Sequence, residues 1–356
     1  MAINITVQKT TKPKSKPDPA KLGFGKFFTD HQFMMEYTKG KGWHDPRIVP
    51  YGPLPLDPAN SALHYGQSIF EGMKSYKAPD GRILLFRPRK NIERLNNSCD
   101  RMCMPAVDIE DTMAALKMLI KLDSDWIPTA AGTSLYIRPF MFGNDPFLGV
   151  RAADTYLFLI ILSPVGAYFP QGINPVRIHV ESVYVRAVKG GTGEAKACGN
   201  YAGSMKAQME AAKNGYVQVL WLDGIEKKFV EEVGAMNVFF KIGGRAVTAP
   251  LEGTILPGVT RDSVIQLLRR DNVPVEERKY SIQEVYEAHD RGQLDEAFGT
   301  GTAAVISPIG QLHWNNRTIT INNEKTGPLA KKLYDTLTGI QYGTVKDEFG
   351  WIEEVK

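Results

Sequence analysis

Apolar residues recur at helical spacing in two neighbouring stretches, Ile92, Leu95 and Met102 first, then Met113, Leu116 and Ile120 behind the cap-like Asp108. Around them the pattern is strand-like. Phe33 to Tyr37 reads as a strand, Lys39 to Gly42 as a turn and Tyr51 to Pro55 as a loop; Ser61 to Phe70 reads as a short helix leading into Met73 to Tyr76. The turn residues Ala78-Pro79-Asp80-Gly81 then join that strand to Ile83–Phe86 as a hairpin. Ser134 to Phe142 and Thr155 to Leu162 are further strands, and the second does not alternate, which predicts burial on both faces. A hairpin, two helices and more strands make an α+β unit. Two prolines and two glycines between Ser163 and Gly172 break any regular element.

Beyond that break the pattern predicts a strand at Val176 to Val183, a helix at Gly203 to Lys213, and strands near Val217 to Leu222 and Val238 to Ile242. Helices follow at Val259 to Arg269 and Ser281 to Arg291, then strands near Leu294 to Phe298 and Val305 to Ser307, and a helix at Gly327 to Thr338. At 356 residues two domains are the natural expectation. The expected division is a flexible basic arm over 1–22, a small N-terminal α/β domain over 23–162, a linker over 163–173 and a large C-terminal domain over 174–356.

Composition changes this picture little, and charge changes it in one place. The hydrophobic share of 43% and charged share of 23% are those of a soluble globular protein. The formal charge of +4 traces to Lys9, Lys12, Lys14, Lys16, Lys21 and Lys26 set against Asp18 and Asp30, which leaves the body neutral. That argues against a nucleic-acid-binding face and leaves only a lysine- and proline-rich arm. No N-terminal stretch has the apolar core of a secretory signal, the arm lacks arginine, and Tyr156 to Leu162 is too short to span a bilayer. A cytoplasmic protein with no membrane or nucleic-acid partner is expected. Three cysteines make a disulfide framework an unsuitable reading, and Cys99 and Cys103 are expected to pack on one helix.

The candidate chemistry centres on Gly190 to Tyr201, GGTGEAKACGNY, where Lys196 sits among residues too small to shield it. It is not a Walker loop, since Ala195 precedes the lysine and Ala197 follows it. Lysine chemistry on an amino acid points to pyridoxal phosphate, which also needs a carboxylate at the pyridine nitrogen and a cradle for phosphate. Glu231 and Glu232 offer the first, with Asp223 a weaker alternative. Leu256-Pro257-Gly258-Val259-Thr260-Arg261, a Pro-Gly turn opening a helix, offers the second. Lys189 and Lys206 lie outside the motif and read as solvated.

Lys196 in GTGEAKACGNY, Glu232 in EEVGAMNVF, the turn ILPGVTR and the run Gly299 to Ala304 together resemble the branched-chain amino-acid aminotransferases, of the pyridoxal-phosphate fold-type IV class. The likeness runs from about Phe24 to Tyr342. It implies a small N-terminal domain and a larger C-terminal barrel-like domain with pyridoxal 5'-phosphate between them, in a homodimer. It implies Lys196 as catalytic base and covalent anchor, Glu232 at the ring nitrogen with Glu231 exposed, and Tyr201 at the phenolic oxygen. Arg94, the Val259 and Thr260 amides and Thr302 would hold the phosphate, with Arg87, Arg89 and Arg101 as surface charges.

On the substrate side the resemblance implies an aromatic box of Phe24, Tyr65, Phe70 and Tyr201, joined by Val150 and Tyr168 from loops, Val150 from a second subunit. Tyr136 with the Thr302 and Ala303 amides would take the α-carboxylate, and Arg138 a second carboxylate. The implied reaction interconverts leucine, isoleucine and valine with their 2-oxo acids against glutamate and 2-oxoglutarate. D-amino-acid transamination and aminodeoxychorismate cleavage are sister activities of the scaffold, and Arg138 with the aromatic box argues against both. Two departures stand out: Ala304 and Ser307 occupy the positions of a Cys-x-x-Cys pair found in animal members, and Ala235 replaces a threonine.

Overall fold

A computed structural model describes residues 3–166 and 173–356. The chain divides into two compact units, one of Met1–Pro170, Ala195–Cys198 and Gly339–Lys356, the other of Gln171–Glu194 and Gly199–Thr338.

The first unit carries β1 (Thr6–Val7), β2 (His31–Thr38), β3 (Gly42–Pro50), α1 (Ser61–Tyr65), β4 (Ser68–Phe70), β5 (Met73–Lys77), β6 (Ile83–Phe86), α2 (Pro88–Arg101), α3 (Ile109–Leu122), β7 (Ser134–Gly143) and β8 (Thr155–Val165). Its sheet runs β1-β3-β2-β8-β7-β5-β6, with β4 added on β7. The apolar stripes of α2 and α3 cover it. Ile92, Leu95 and Cys99 of α2, and Met113, Leu116 and Ile120 of α3, join Phe33, Phe158 and Ile160 in one core. Each such large apolar side chain contributes about 1.5–3 kcal/mol by leaving water. Asp108 starts α3 as expected, its carboxylate accepting from the Asp111 N–H. Strand β8 is buried along nearly its whole length, as its unbroken apolar run predicts.

The second unit carries β9 (Val176–Glu181), α4 (Cys198–Lys213), β10 (Gln218–Leu222), β11 (Val230–Val233), β12 (Met236–Ile242), β13 (Arg245–Thr248), α5 (Val259–Arg270), β14 (Val275–Glu277), α6 (Ile282–Asp290), β15 (Leu294–Gly301), β16 (Val305–Trp314), β17 (Arg317–Thr320) and most of α7 (Pro328–Gln341). Its strands run β11-β10-β9-β16-β15-β12, and β12 pairs back onto β11, so six strands close into a barrel-like ring. The fold is therefore α+β, with its mixed sheets in two units.

Several expectations change. Over the described residues 3–22, the expected basic arm is not free. β1 pairs with β3, the Lys14 N–H donates to Asp30 at 2.8 Å and its ammonium to the Thr29 carbonyl at 2.7 Å, and Lys16 pairs with Asp125 at 2.7 Å. Lys14, Lys16 and Lys21 are spent on local carboxylates and carbonyls, and Leu22 is buried. The C-terminus also departs from the expected division, because β18 (Ile352–Glu354) pairs with β6 and so places the last residues in the first unit. Strand β8 continues through Pro164 to Val165, shortening the expected linker from its start. Much of that linker, with Tyr168, falls outside the described residues. Within the expected helix at Ser61 to Phe70, Gly66 takes a left-handed conformation that ends α1, and the chain turns into β4.

Helix α2 ends at Arg101, so Cys99 is buried while Cys103 lies beyond the helix and is exposed. Burial pushes the Cys99 thiol up to about 12. Because the thiolate is the reactive species, an aromatic-disulfide titration of the native protein is expected to consume Cys103 readily and leave Cys99 untouched until denaturant is added. Equal labelling of both under native conditions contradicts this packing.

Candidate active site

The lysine motif is fixed in the first unit by its backbone. The Lys196 N–H donates to Ser98 Oγ on α2 at 2.9 Å, its carbonyl accepts from the Phe70 N–H at 3.1 Å, and Ala197 makes an antiparallel bridge with Ile69. The side chain reaches over Phe70, with Nζ 4.8 Å from the ring centroid. Four residues named from sequence gather at the same place. The Arg138 guanidinium lies 4.5 Å from the Phe70 centroid, and its Nη2 donates to the Tyr136 hydroxyl at 3.0 Å. Phe24 meets Tyr136 edge-on at 4.9 Å. Arg138 Nε is buried without a hydrogen-bond partner, an orphaned donor beside an aromatic wall. Gly72 permits this closeness, since a Cβ there would meet the Tyr136 hydroxyl at 2.2 Å.

Tyr65 and Val150 stand apart from that group. Tyr65 is exposed and its hydroxyl donates to the Leu148 carbonyl, which ties it to the loop that bears Val150, itself 85% exposed. Arg94 is buried on α2, but its Nε and Nη2 both reach Glu71, at 2.8 and 2.9 Å. No motif reading from sequence pointed to Glu71, a lone carboxylate after an aromatic. Arg87 also departs from its expected place among surface charges: it is 9% exposed, takes φ 50° ahead of α2 and stacks on Trp351. Arg89, by contrast, pairs at the surface with Glu353 at 2.8 Å.

In the second unit, strand register sets the geometry. Glu232 on β11 lies opposite Asn237 on β12, which lies opposite Thr300 on β15. Glu232 is 2% exposed; its Oε2 meets Arg186 Nε at 2.6 Å, and its Oε1 accepts from the Leu256 N–H at 3.1 Å and Asn237 Nδ2 at 3.2 Å. Arg186 also donates from Nη1 to the Thr254 carbonyl at 2.9 Å. Sequence reasoning missed this arginine, although it stands ten residues before Lys196. Glu231 is not exposed, contrary to expectation: it is 8% exposed, takes a 2.6 Å bond from Thr254 Oγ1, and burial raises its carboxyl above the usual range. Asp223 is spent on its own turn, accepting from the Lys228 and Phe229 N–H groups at 2.9 and 2.8 Å. Lys206 is solvated and pairs with Glu210 at 2.8 Å.

Gly258 precedes α5 with no side-chain cap, and a Cβ there would meet Asn237 Oδ1 at 2.0 Å. Thr260 is buried in the first turn, where helix amides and dipole favour an anion. Thr302 and Ala303 form the turn between β15 and β16, next to Thr300, whose buried hydroxyl lacks a hydrogen-bond partner. Tyr201, Arg186, Gly234 and Ala235 line one small cavity. Taken unit by unit, the residues fit pyridoxal phosphate: a reachable lysine beside an aromatic ring, a buried paired carboxylate, an uncapped helix start and an orphaned hydroxyl.

A helix-bearing barrel unit with these groups belongs with the aminotransferases, and the family described as amino-transferase class IV matches residues 68–312. This chain belongs to that family. It is 61% identical over 351 residues to branched-chain-amino-acid aminotransferase 2 of Bacillus subtilis (strain 168), covering 99% of this chain and 97% of that one. It is 56% identical over 352 residues to branched-chain-amino-acid transaminase 1 of the same organism, covering 99% of each. Among solved structures, the branched-chain amino acid aminotransferase of Thermobaculum terrenum in its PLP-form superposes with a TM-score of 0.75 at 25% identity, over 92% of this chain and 99% of that one.

Proposed function

We propose that this chain is a pyridoxal-phosphate-dependent branched-chain amino-acid transaminase. It moves an amino group between leucine, isoleucine or valine and 2-oxoglutarate, giving the 2-oxo acids and glutamate. The observation that carries this reading is the group Phe24, Phe70, Tyr136 and Arg138 around Lys196, an aromatic wall holding one guanidinium with an unpartnered Nε. Relatives at 61% and 56% identity over nearly the whole chain support it.

The cofactor supplies an aldehyde and an electron-withdrawing ring, and the chain's residues do the rest. Lys196 would hold the cofactor as its covalent anchor and would serve as the base that takes the substrate's α-proton. Glu232, anchored by Arg186, would accept from the ring N–H. Tyr201 would donate to the phenolic oxygen, while Arg94, the Val259 and Thr260 amides and Thr302 would hold the phosphate. Tyr136 with the Thr302 and Ala303 amides binds the α-carboxylate, and Phe24, Phe70 and Tyr201 enclose the aliphatic side chain. Tyr65 and Val150 complete the pocket, Val150 from a second copy of the chain in a homodimer, which suits a side chain so exposed in one copy. The protein is assigned to the cytoplasm; among the described residues no helix is long and apolar enough to cross a membrane.

The test is a visible spectrum of the purified protein with leucine and then 2-oxoglutarate added in turn; a reversible change of the cofactor band establishes both half-reactions, and none refutes the reading. Dual specificity has its own test. A pocket dry enough for leucine rejects the glutamate side chain unless its charge finds a partner. Arg138 rests on Phe70 when leucine is bound and pairs with the second carboxylate when glutamate is bound. Arg138→Met is expected to keep the leucine half-reaction within about tenfold of wild type and to lower kcat/KM for glutamate and 2-oxoglutarate by roughly 10²-fold. Equal losses in both would assign Arg138 to the α-carboxylate or the fold.

A further inference from the structure

Helix α2 turns a polar stripe inward as well as an apolar one. Asn91, Arg94 and Ser98, at spacing i, i+3 and i+7, are exposed by only 2%, 6% and 0%. Ser98 reaches the segment that carries the lysine, and Asn91 and Arg94 reach Glu71. Ser98 Oγ accepts from the Lys196 N–H at 2.9 Å and donates to the Arg94 carbonyl at 3.0 Å. Asn91 Nδ2 and Arg94 converge on Glu71, which is fully buried one residue after Phe70.

Four donors meet that one carboxylate. Arg94 Nε donates to Oε1 at 2.8 Å; Oε2 accepts from Arg94 Nη2 at 2.9 Å, Asn91 Nδ2 at 3.0 Å and the Gly72 N–H at 3.0 Å. Burial alone would raise this carboxyl, yet the Arg94 charge and hydrogen bonds hold it below the usual range. The fork holds Nε and Nη2 of the guanidinium on the Glu71 carboxylate.

We propose that Glu71 is a positioning residue for the cofactor phosphate: gripped by Asn91 and the Gly72 amide, it orients the guanidinium of Arg94 while leaving that arginine's charge locally balanced. This rests on the reading of Arg94 as a phosphate ligand and Lys196 as the covalent anchor. Two consequences separate it from a merely structural ion pair. A shift of the fork without loss of charge should weaken binding of a ligand that carries the phosphate. It should not weaken one that lacks it.

Glu71→Asp keeps the charge and withdraws the carboxylate by one methylene. The cofactor-free enzyme is titrated with pyridoxal phosphate and, separately, with pyridoxal, following the protein-bound absorption band. Glu71→Asp is expected to weaken pyridoxal phosphate about tenfold or more, the loss of one charge-assisted hydrogen bond, and to change pyridoxal affinity by less than about threefold. Asn91→Ala, which loosens the grip on Glu71 but leaves both charges in place, is expected to act in the same direction by about threefold, and it decides the matter if Glu71→Asp does not fold. An unchanged ratio of the two affinities in the variants, or equal weakening of both ligands, overturns the role of Glu71. If the wild-type protein itself forms no Lys196-dependent band with either ligand, the reading of the whole site fails instead.

Discussion

Lys196→Ala is expected to abolish the covalent protein–cofactor band and to lower turnover by at least about 10⁴-fold, because in the proposed mechanism one amine performs both anchoring and proton transfer. The fold should survive. The backbone contacts at this position, the N–H on Ser98, the carbonyl under Phe70 and the bridge from Ala197 to Ile69, are all available to alanine. The side chain is only part-buried, so little packing is lost. Circular dichroism and melting temperature close to wild type, together with a mass free of cofactor after hydride reduction, are the expected observations. A small primary amine added to the variant is expected to restore a slow single turnover, since the cavity left by the side chain admits a substitute base. Turnover near the wild-type rate would remove Lys196 from the mechanism.

The sequence made the elements of this fold legible wherever one face of an element is dry. Helix α3, with its Asp108 cap and apolar stripe, and the non-alternating β8 both follow from pattern alone. What pattern could not supply was pairing between distant stretches. Nothing in Ile352–Glu354 says that it completes an edge beside β6, and nothing in Thr6–Val7 says that it lies along β3. The closing of β12 onto β11 was equally silent, because both are short and flank a Gly234 turn. The barrel entered the reading through resemblance only.

The site divides in the same way. Residues inside motifs, such as Lys196, Glu232 and the Gly258 turn, were visible because unusual small residues surround them. Residues that act on those residues were not. Arg186 and Glu71 are single charges in ordinary contexts, and only the distances of 2.6 Å to Glu232 and 2.8 Å to Arg94 give them meaning. One signal was present: a buried charge requires an opposite charge, so Glu232, in a strand bounded by Val230 and Val233, called for a cation. Burial of Glu231 was missed for a related reason. Two adjacent strand residues point to opposite faces, and here both faces are covered.

Glu232→Gln tests the second large effect, and the geometry predicts two separate consequences. The first is chemical: in the role proposed for Glu232, a neutral amide would not keep the cofactor's ring nitrogen protonated, and kcat is expected to fall by roughly 10²–10³-fold. Cofactor affinity should change far less, because the phosphate contacts are untouched. The second consequence is structural. Arg186 loses the carboxylate that meets its Nε at 2.6 Å, leaving a buried cation without its counter-charge. Breaking such a pair costs about 3–5 kcal/mol, a fall in melting temperature that calorimetry would register. The two can be pulled apart by adding Arg186→Gln to the variant. Removing the orphaned cation should recover most of the stability, since the remaining amides can bond to each other and to the Thr254 carbonyl that Arg186 now holds at 2.9 Å. It should recover none of the rate. If stability and turnover return together, Glu232 serves the barrel rather than the cofactor, and the carboxylate at the ring nitrogen must be sought elsewhere. If neither returns, the pair is not the unit that its geometry indicates, and the role given to Arg186 is wrong.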